Sequence, residues 1–347
     1  MTRARLTALT ALILGLTLAV TPGSAADKKA AGSNKPKVVA GGLDNPRGVA
    51  VPEGTGHLLV ASHGGVFRID PKGKGRQKKK LEVTGFPTDV YGKGPKYNIG
   101  PLGVAFLKPN LLVVGDGSRK DGAELVRIYR IGNTAPKKPQ KEQAAVMTLG
   151  PISPSEDSPK GEGNFYGVAI GAGAIFVTCN GDDTKGWVSR STLNDSGKPG
   201  KLKPYIKTKV ATGVDAPVGI TFTPDGKQLC VSQMGEMNVP GDSLLTFYNP
   251  STGELIAKHK TGLHDIAGVA YSPKTGKIYV VDYAWAKNED GGLYCLSVTD
   301  KGVEAKKIAK LDRPTALAFG KDGSLYVTVF GWGKNKKGAV VRFAPGL

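Results

Sequence analysis

Apolar residues come along this chain in short bursts rather than long runs. One burst recurs six times: Leu58-Leu59-Val60, Leu111-Leu112-Val113, Ile175-Phe176-Val177, Leu229-Cys230-Val231, Ile278-Tyr279-Val280 and Leu325-Tyr326-Val327. Bursts this short, rich in β-branched and aromatic residues and bounded by turn residues, predict buried strands. Ahead of each lies a small-residue strand start: Asn45-Pro46-Arg47-Gly48, Gly100-Pro101-Leu102-Gly103, Asn164-Phe165-Tyr166-Gly167, Ala216-Pro217-Val218-Gly219, Asp265-Ile266-Ala267-Gly268 and Arg313-Pro314-Thr315-Ala316. Turns such as Pro224-Asp225-Gly226 and Lys321-Asp322-Gly323 join the two, with Pro presetting φ and Gly accepting positive φ. A third strand follows, as at Val66–Ile69 and Val340–Phe343, and then a weaker fourth, as at Lys306-Lys307-Ile308-Ala309. No apolar period of 3.6 residues persists long enough to predict a helix.

Gly48 and Ala316 lie 268 positions apart over five steps, about 54 per repeat. Six units of four short antiparallel strands predict an all-β fold, a six-bladed β-propeller over residues 38–347. The last repeat stops at Leu347 without a fourth strand, while Lys37-Val38-Val39-Ala40 precedes the first repeat unpaired. The N-terminal strand should therefore join the last blade and close the ring, which removes free sheet edges.

Composition agrees with this reading. The 347 residues include 49 Gly and 23 Pro, too many breakers for a long-helix protein. Residues 1–26 read as a signal peptide: Arg3 and Arg5, an uncharged stretch over 6–20, then Pro22-Gly23-Ser24-Ala25-Ala26. The stretch is short of the ~20 residues a bilayer needs, so cleavage is expected, with no membrane span afterwards and a secreted or periplasmic product. Residues 27–37 are expected to be a flexible basic tail. Cleavage removes two arginines and no acid, taking the formal charge from +19 to +17. The odd cysteine count (Cys179, Cys230 and Cys295) points to buried small hydrophobes rather than a disulfide framework.

The repeats resemble NHL-type and gluconolactonase/regucalcin-type six-bladed propellers. The opening Gly42–Gly48 and the closing Arg313–Phe343 look most like secreted ScyD/ScyE-type propellers. The resemblance covers nearly all of the mature chain and is specific for fold rather than function. For lactonases of the gluconolactonase type it implies a Glu, an Asn and an Asp holding a divalent cation. Here Pro217-Val218-Gly219 stands in place of Pro-Asn-Gly, and Pro314-Thr315-Ala316 in place of Pro-Asp-Gly, so no metal of that form is expected. Quinone-cofactor sugar dehydrogenases share a Leu-Asp-Asn-Pro opening, but no further motif for that cofactor is present, and no cofactor is expected.

Alternating strand direction puts the starts of first strands, the ends of second strands and the long loops 118–124, 181–186, 235–242, 284–291 and 331–338 on one face. A ligand site is expected there, at the mouth of the central channel. Arg47, Leu102, Tyr166, Val218, Ala267 and Thr315 precede the repeat Gly or Ala and should point toward it. Asn164, Asp265 and Arg313 open first strands on the same face, and Asp116, Asn180, Gln233 and Asp282 end second strands there; with Arg47 and Tyr166 these are the ligand-binding candidates. Asp44, Asp215 and Asp312 recur at one position with the chemistry of turn caps. His63 and His264 are the catalytic candidates near the mouth, whereas His57 lies by a turn and His259 in an outer strand. No HxH, HExxH or Gly-x-Ser-x-Gly pattern occurs.

The runs Lys72–Lys80, Lys137–Lys141 and Lys334–Lys337 lie in separate blades without interleaved aromatics, which speaks against nucleic acid and leaves loose attraction to anionic envelope polymers. The expected product is a monomeric binding or scaffold propeller with an unknown ligand or protein partner at the mouth. The alternative is a hydrolase or lyase of lactone-like or glycan-derived substrates.

Overall fold

The computed structural model describes residues 35–75, 78–91, 96–181, 185–300, 302–330 and 338–347. Residues 1–34, which include the expected leader and most of the expected basic tail, lie outside these residues, as do Arg76, Asp182 and the 334–337 lysine run. The described chain is a six-bladed β-propeller. Blade one comprises Val49–Ala50, Leu58–Ser62, Gly65–Ile69 and Lys79–Thr84, and blade two Pro101–Lys108, Leu111–Asp116, Val126–Arg130 and Met147–Leu149. Blades three, four and five repeat the pattern from Val168–Gly171, Pro217–Phe222 and Ile266–Tyr271. In blade six, Pro314–Phe319, Leu325–Val329 and Gly338–Phe343 take the N-terminal strand Lys37–Leu43 as their fourth. Lys37 pairs with Arg342 and Leu43 with Gly338, so the ring closes as the unpaired ends predict.

Two features go beyond the repeat. Gln140–Lys141 adds a short parallel strand to the outer edge of blade one, tying the blade-two loop back to its neighbour. A hairpin, Asp89–Tyr91 with Tyr97–Ile99, fills the long connection between blades one and two.

The repeat glycines bring adjacent inner strands together. A Cβ on Gly48 would sit 2.5 Å from the Leu102 carbonyl oxygen, and one on Gly103 2.5 Å from that of Tyr166. In their place come backbone bonds, Gly48 N–H to Leu102 O at 2.8 Å and Gly103 N–H to Phe165 O at 3.2 Å. The second strands, buried along their length except at Val329, pack against neighbouring blades in six apolar clusters. Among the described residues no helix is long and apolar enough to cross a membrane. The three cysteines are free thiols. Cys179 and Cys230 are buried and Cys295 is half-buried, less covered than its strand position suggests. Burial pushes the Cys230 thiol up to about 12 and the Cys179 thiol well above its ordinary value, which makes both poor nucleophiles.

Candidate functional site

Arg47 leads into the inner strand of blade one and is only 9% exposed. Its guanidinium carbon lies 4.6 Å from the Phe330 ring centroid, 5.6 Å from that of Tyr97 and 5.9 Å from that of Tyr166. Tyr283 stacks on Trp285 at 5.9 Å and meets Phe330 edge-on at 6.0 Å. These rings come from four places: the hairpin, the start of blade three, the end of the second strand of blade five and that of blade six. Val218 and Ala267, the corresponding residues of blades four and five, pack in the same cluster, and Tyr166 Oη donates to the Thr315 carbonyl at 3.1 Å. The residues before the repeat Gly thus gather in one cluster in several blades.

Among the described residues no carboxylate pairs with Arg47. Burial works against its charge, but the hydroxyls of Tyr166, Tyr97 and Tyr283 outweigh that, and the guanidinium is held above its ordinary value. Among the described residues the buried Tyr283 hydroxyl has no hydrogen-bond partner, and burial pushes this phenol up as well. A cation in an aromatic box gains from the ring faces. The guanidinium also hydrogen-bonds the Tyr166 and Tyr97 hydroxyls, and with no acid beside it among the described residues its charge stays open to an incoming anion.

The other candidates are placed differently. Asp116 is fully buried and sits between two guanidiniums, Arg119 at 2.5 Å and Arg127 at 3.0 Å. Glu142, from the blade-two loop, pairs with the same two arginines, so two acids and two bases balance inside the wall. Asn180 Nδ2 donates to the Pro217 carbonyl at 3.1 Å, and Gln233 Nε2 donates to Thr212 Oγ1 at 3.0 Å and to the Val214 carbonyl. Asp282 accepts from the backbone N–H groups of His264, Asp265 and Ala284, and Asp265 from that of Trp285. Burial raises Asp265 to about 7 and also pushes Asp242 and Asp282 up. His264 reaches Asp290 at 3.1 Å through Nε2, while its buried Nδ1 has no partner among the described residues.

Asn164 and Arg313 share one backbone role with Asn45 and Ala216. All four hold positive φ, 45–54°, three residues before the repeat Gly or Ala. Asn tolerates this conformation, whereas Ala and Arg carry a cost there. The Arg313 side chain also meets Asp312 at 3.1 Å. His63 stands at the rim between Asp44 and Thr88, with Nδ1 2.7 Å from Asp44 Oδ2 and Nε2 2.9 Å from Thr88 Oγ1. The backbone repeats that link: His63 N–H donates to the Asp44 carbonyl at 2.9 Å.

No family model matches the chain, and no curated protein does. Solved structures do. The chain is similar to a glucose dehydrogenase at TM-score 0.59 and 16% identity, covering 90% of this chain and 100% of that one. A gluconolactonase of Xanthomonas campestris aligns at TM-score 0.56 and 14% identity over 89% of both chains. A luciferin-regenerating enzyme aligns at 0.56 and 14%, over 90% of this chain and 96% of that one. These likenesses bear out the β-propeller fold.

The metal that the gluconolactonase resemblance implies does not fit the residues present. Val218 is buried among apolar groups, and Thr315 spends its hydroxyl on the Pro46 carbonyl and on Thr328. Among the described residues no three acid, His or Cys side chains are grouped to hold a metal ion. Two open clefts lie on the outer wall instead, one lined by Met147, Pro151 and Leu202 and the other by Arg190, Thr192 and Tyr205; neither includes the mouth residues.

Tyr97 and Thr88 lie in a connection outside the repeat, whereas Tyr283 stands at the position that Phe330 takes in blade six. The only hint of Tyr97 and Thr88 was the length of the connection before Gly103, since long connections tend to build function.

Proposed function

We propose that this chain is an exported propeller enzyme, a hydrolase or lyase that takes a lactone-like or glycan-derived organic anion at the channel mouth. The observation that carries this reading is Arg47, a buried cation without an acid partner among the described residues. In a site of low dielectric a guanidinium gives a planar, two-pronged hold on a carboxylate. The aromatic walls suit the apolar face of a ring-shaped substrate. Residues 1–26 would direct export, and the basic surface would draw the protein toward anionic polymers of the envelope, an attraction that should weaken as salt rises.

The test is proton release, followed in a pH-stat against aldono- and uronolactones and short acidic glycans. Turnover that loses at least tenfold in kcat/KM in Arg47→Met supports the proposal. A protein inert toward the whole panel, or an Arg47→Met variant of unchanged kcat/KM, overturns it. The departure from the metal pattern at Val218 and Thr315 favours a second reading, a non-catalytic binding propeller, which would show saturable binding of the same acids without turnover.

A further inference from the structure

The chain Asp44–His63–Thr88 has one donor order when the imidazole is neutral. Asp44 is an acceptor only, so the imidazole nitrogen 2.7 Å away must carry the hydrogen. In neutral imidazole the other nitrogen is then the acceptor, and the Thr88 hydroxyl at 2.9 Å must donate into it. This is the arrangement that activates a hydroxyl nucleophile: an acid holds the tautomer, the histidine accepts, and the hydroxyl gives up its proton. The three groups come from separate segments. Asp44 follows the closing strand, His63 ends the second strand of blade one, and Thr88 leads into the hairpin that sets Tyr97 against Arg47. Asp44 is half-exposed and the histidine one-fifth exposed, and Thr88 is exposed, so a substrate can reach the hydroxyl.

We propose that Asp44, His63 and Thr88 form a nucleophilic triad at the rim of the mouth, in which the Thr88 hydroxyl attacks an ester-type carbonyl. The proposal rests on the hydrolytic reading above. As the Oγ1–C bond forms, the hydroxyl proton passes to His63 Nε2. The carbonyl collapses with cleavage of the ester or ring C–O bond, and the departing alkoxide takes the proton from Nε2. A water molecule, deprotonated in turn by Nε2, attacks the acyl carbon. The carboxylic acid leaves and the Thr88 hydroxyl is restored. Water is the only co-reactant.

A neutral alkyl fluorophosphonate tests the triad without relying on the true substrate. The full chain, Thr88→Ala, Thr88→Ser and His63→Gln would be incubated with it and read by intact mass and peptide mapping, with circular dichroism confirming the fold of each. The expected result is one adduct on the peptide bearing Thr88 in the parent and in Thr88→Ser. It should be absent in Thr88→Ala and form at least tenfold more slowly in His63→Gln. No adduct at Thr88 in a folded parent and none at the serine of Thr88→Ser would overturn the triad, as would labelling of His63→Gln at the parent rate. A protein labelled at Thr88 yet inert toward the lactone panel would retain the triad and refute the substrate assignment alone.

Discussion

The Arg47 guanidinium carbon sits 4.6 Å from the centroid of the Phe330 ring, so the first and last blades of the ring meet through a cation and an aromatic face. Removing the charge while keeping the volume separates binding from folding. Arg47→Met loses cation–π contacts of about 1–2 kcal/mol and escapes the cost of a buried charge, which is of similar or larger size. The variant should fold and melt within a few degrees of the parent by circular dichroism. A collapse of the melting temperature would make Arg47 a structural plug.

Close approach of the inner strands predicts a sharp response at Gly103. In Gly103→Ala the new methyl would lie 2.5 Å from the Tyr166 carbonyl oxygen and 2.9 Å from a Val168 methyl. Overpacking of this kind costs about 1–3 kcal/mol. Chemical denaturation should give a lower midpoint with an unchanged slope, and an unchanged midpoint would refute the close contact.

The quartet of buried Asp116, Glu142 and Arg127 with partly buried Arg119 stands or falls together. Asp116→Asn leaves an uncompensated guanidinium charge beside Arg127, itself 5% exposed. Breaking a buried pair from one side costs about 3–5 kcal/mol. Urea titration should show that loss for Asp116→Asn, and a change below about 1 kcal/mol would contradict the network.

Glu124 predicts a pH dependence. Burial pushes its carboxyl up to about 9, against the ordinary value of 4.5. Between those values the folded chain holds a proton that the unfolded chain releases, so stability falls as pH rises through this window. Glu124→Gln keeps an acceptor for the Asn164 N–H and removes the titration. Its melting temperature relative to the parent should therefore rise from pH 5 to pH 9. A constant difference across that range would show that Glu124 titrates normally.

Much of this molecule is legible in its sequence, and the rest fails for a physical reason. The repeat Gly and the second-strand bursts report local needs, close approach and two-sided burial, and those needs recur in every blade. Arg47 could be placed because it occupies a repeat position. So could Tyr166, at the equivalent position of blade three. Tyr97 could not, since it comes from an insertion outside the repeat, and the contact with Phe330 of the last blade follows only from ring closure. Asp116 looks in sequence like any second-strand end; its partner Glu142 opens a short 3-10 turn outside the repeat, 26 positions on. Asn164 hints at positive φ by its residue type, but Ala216 and Arg313 adopt the same backbone with no such hint.

Isothermal titration of organic acids into the parent protein and Arg47→Met tests the central claim most directly. The panel should include uronates and aldonates with their neutral alcohol counterparts. At least one acid should saturate the parent, its neutral counterpart should not, and the affinity should drop tenfold or more in a folded Arg47→Met. Equal binding by the two proteins, or none by the parent across the panel, would contradict an anion site at the mouth.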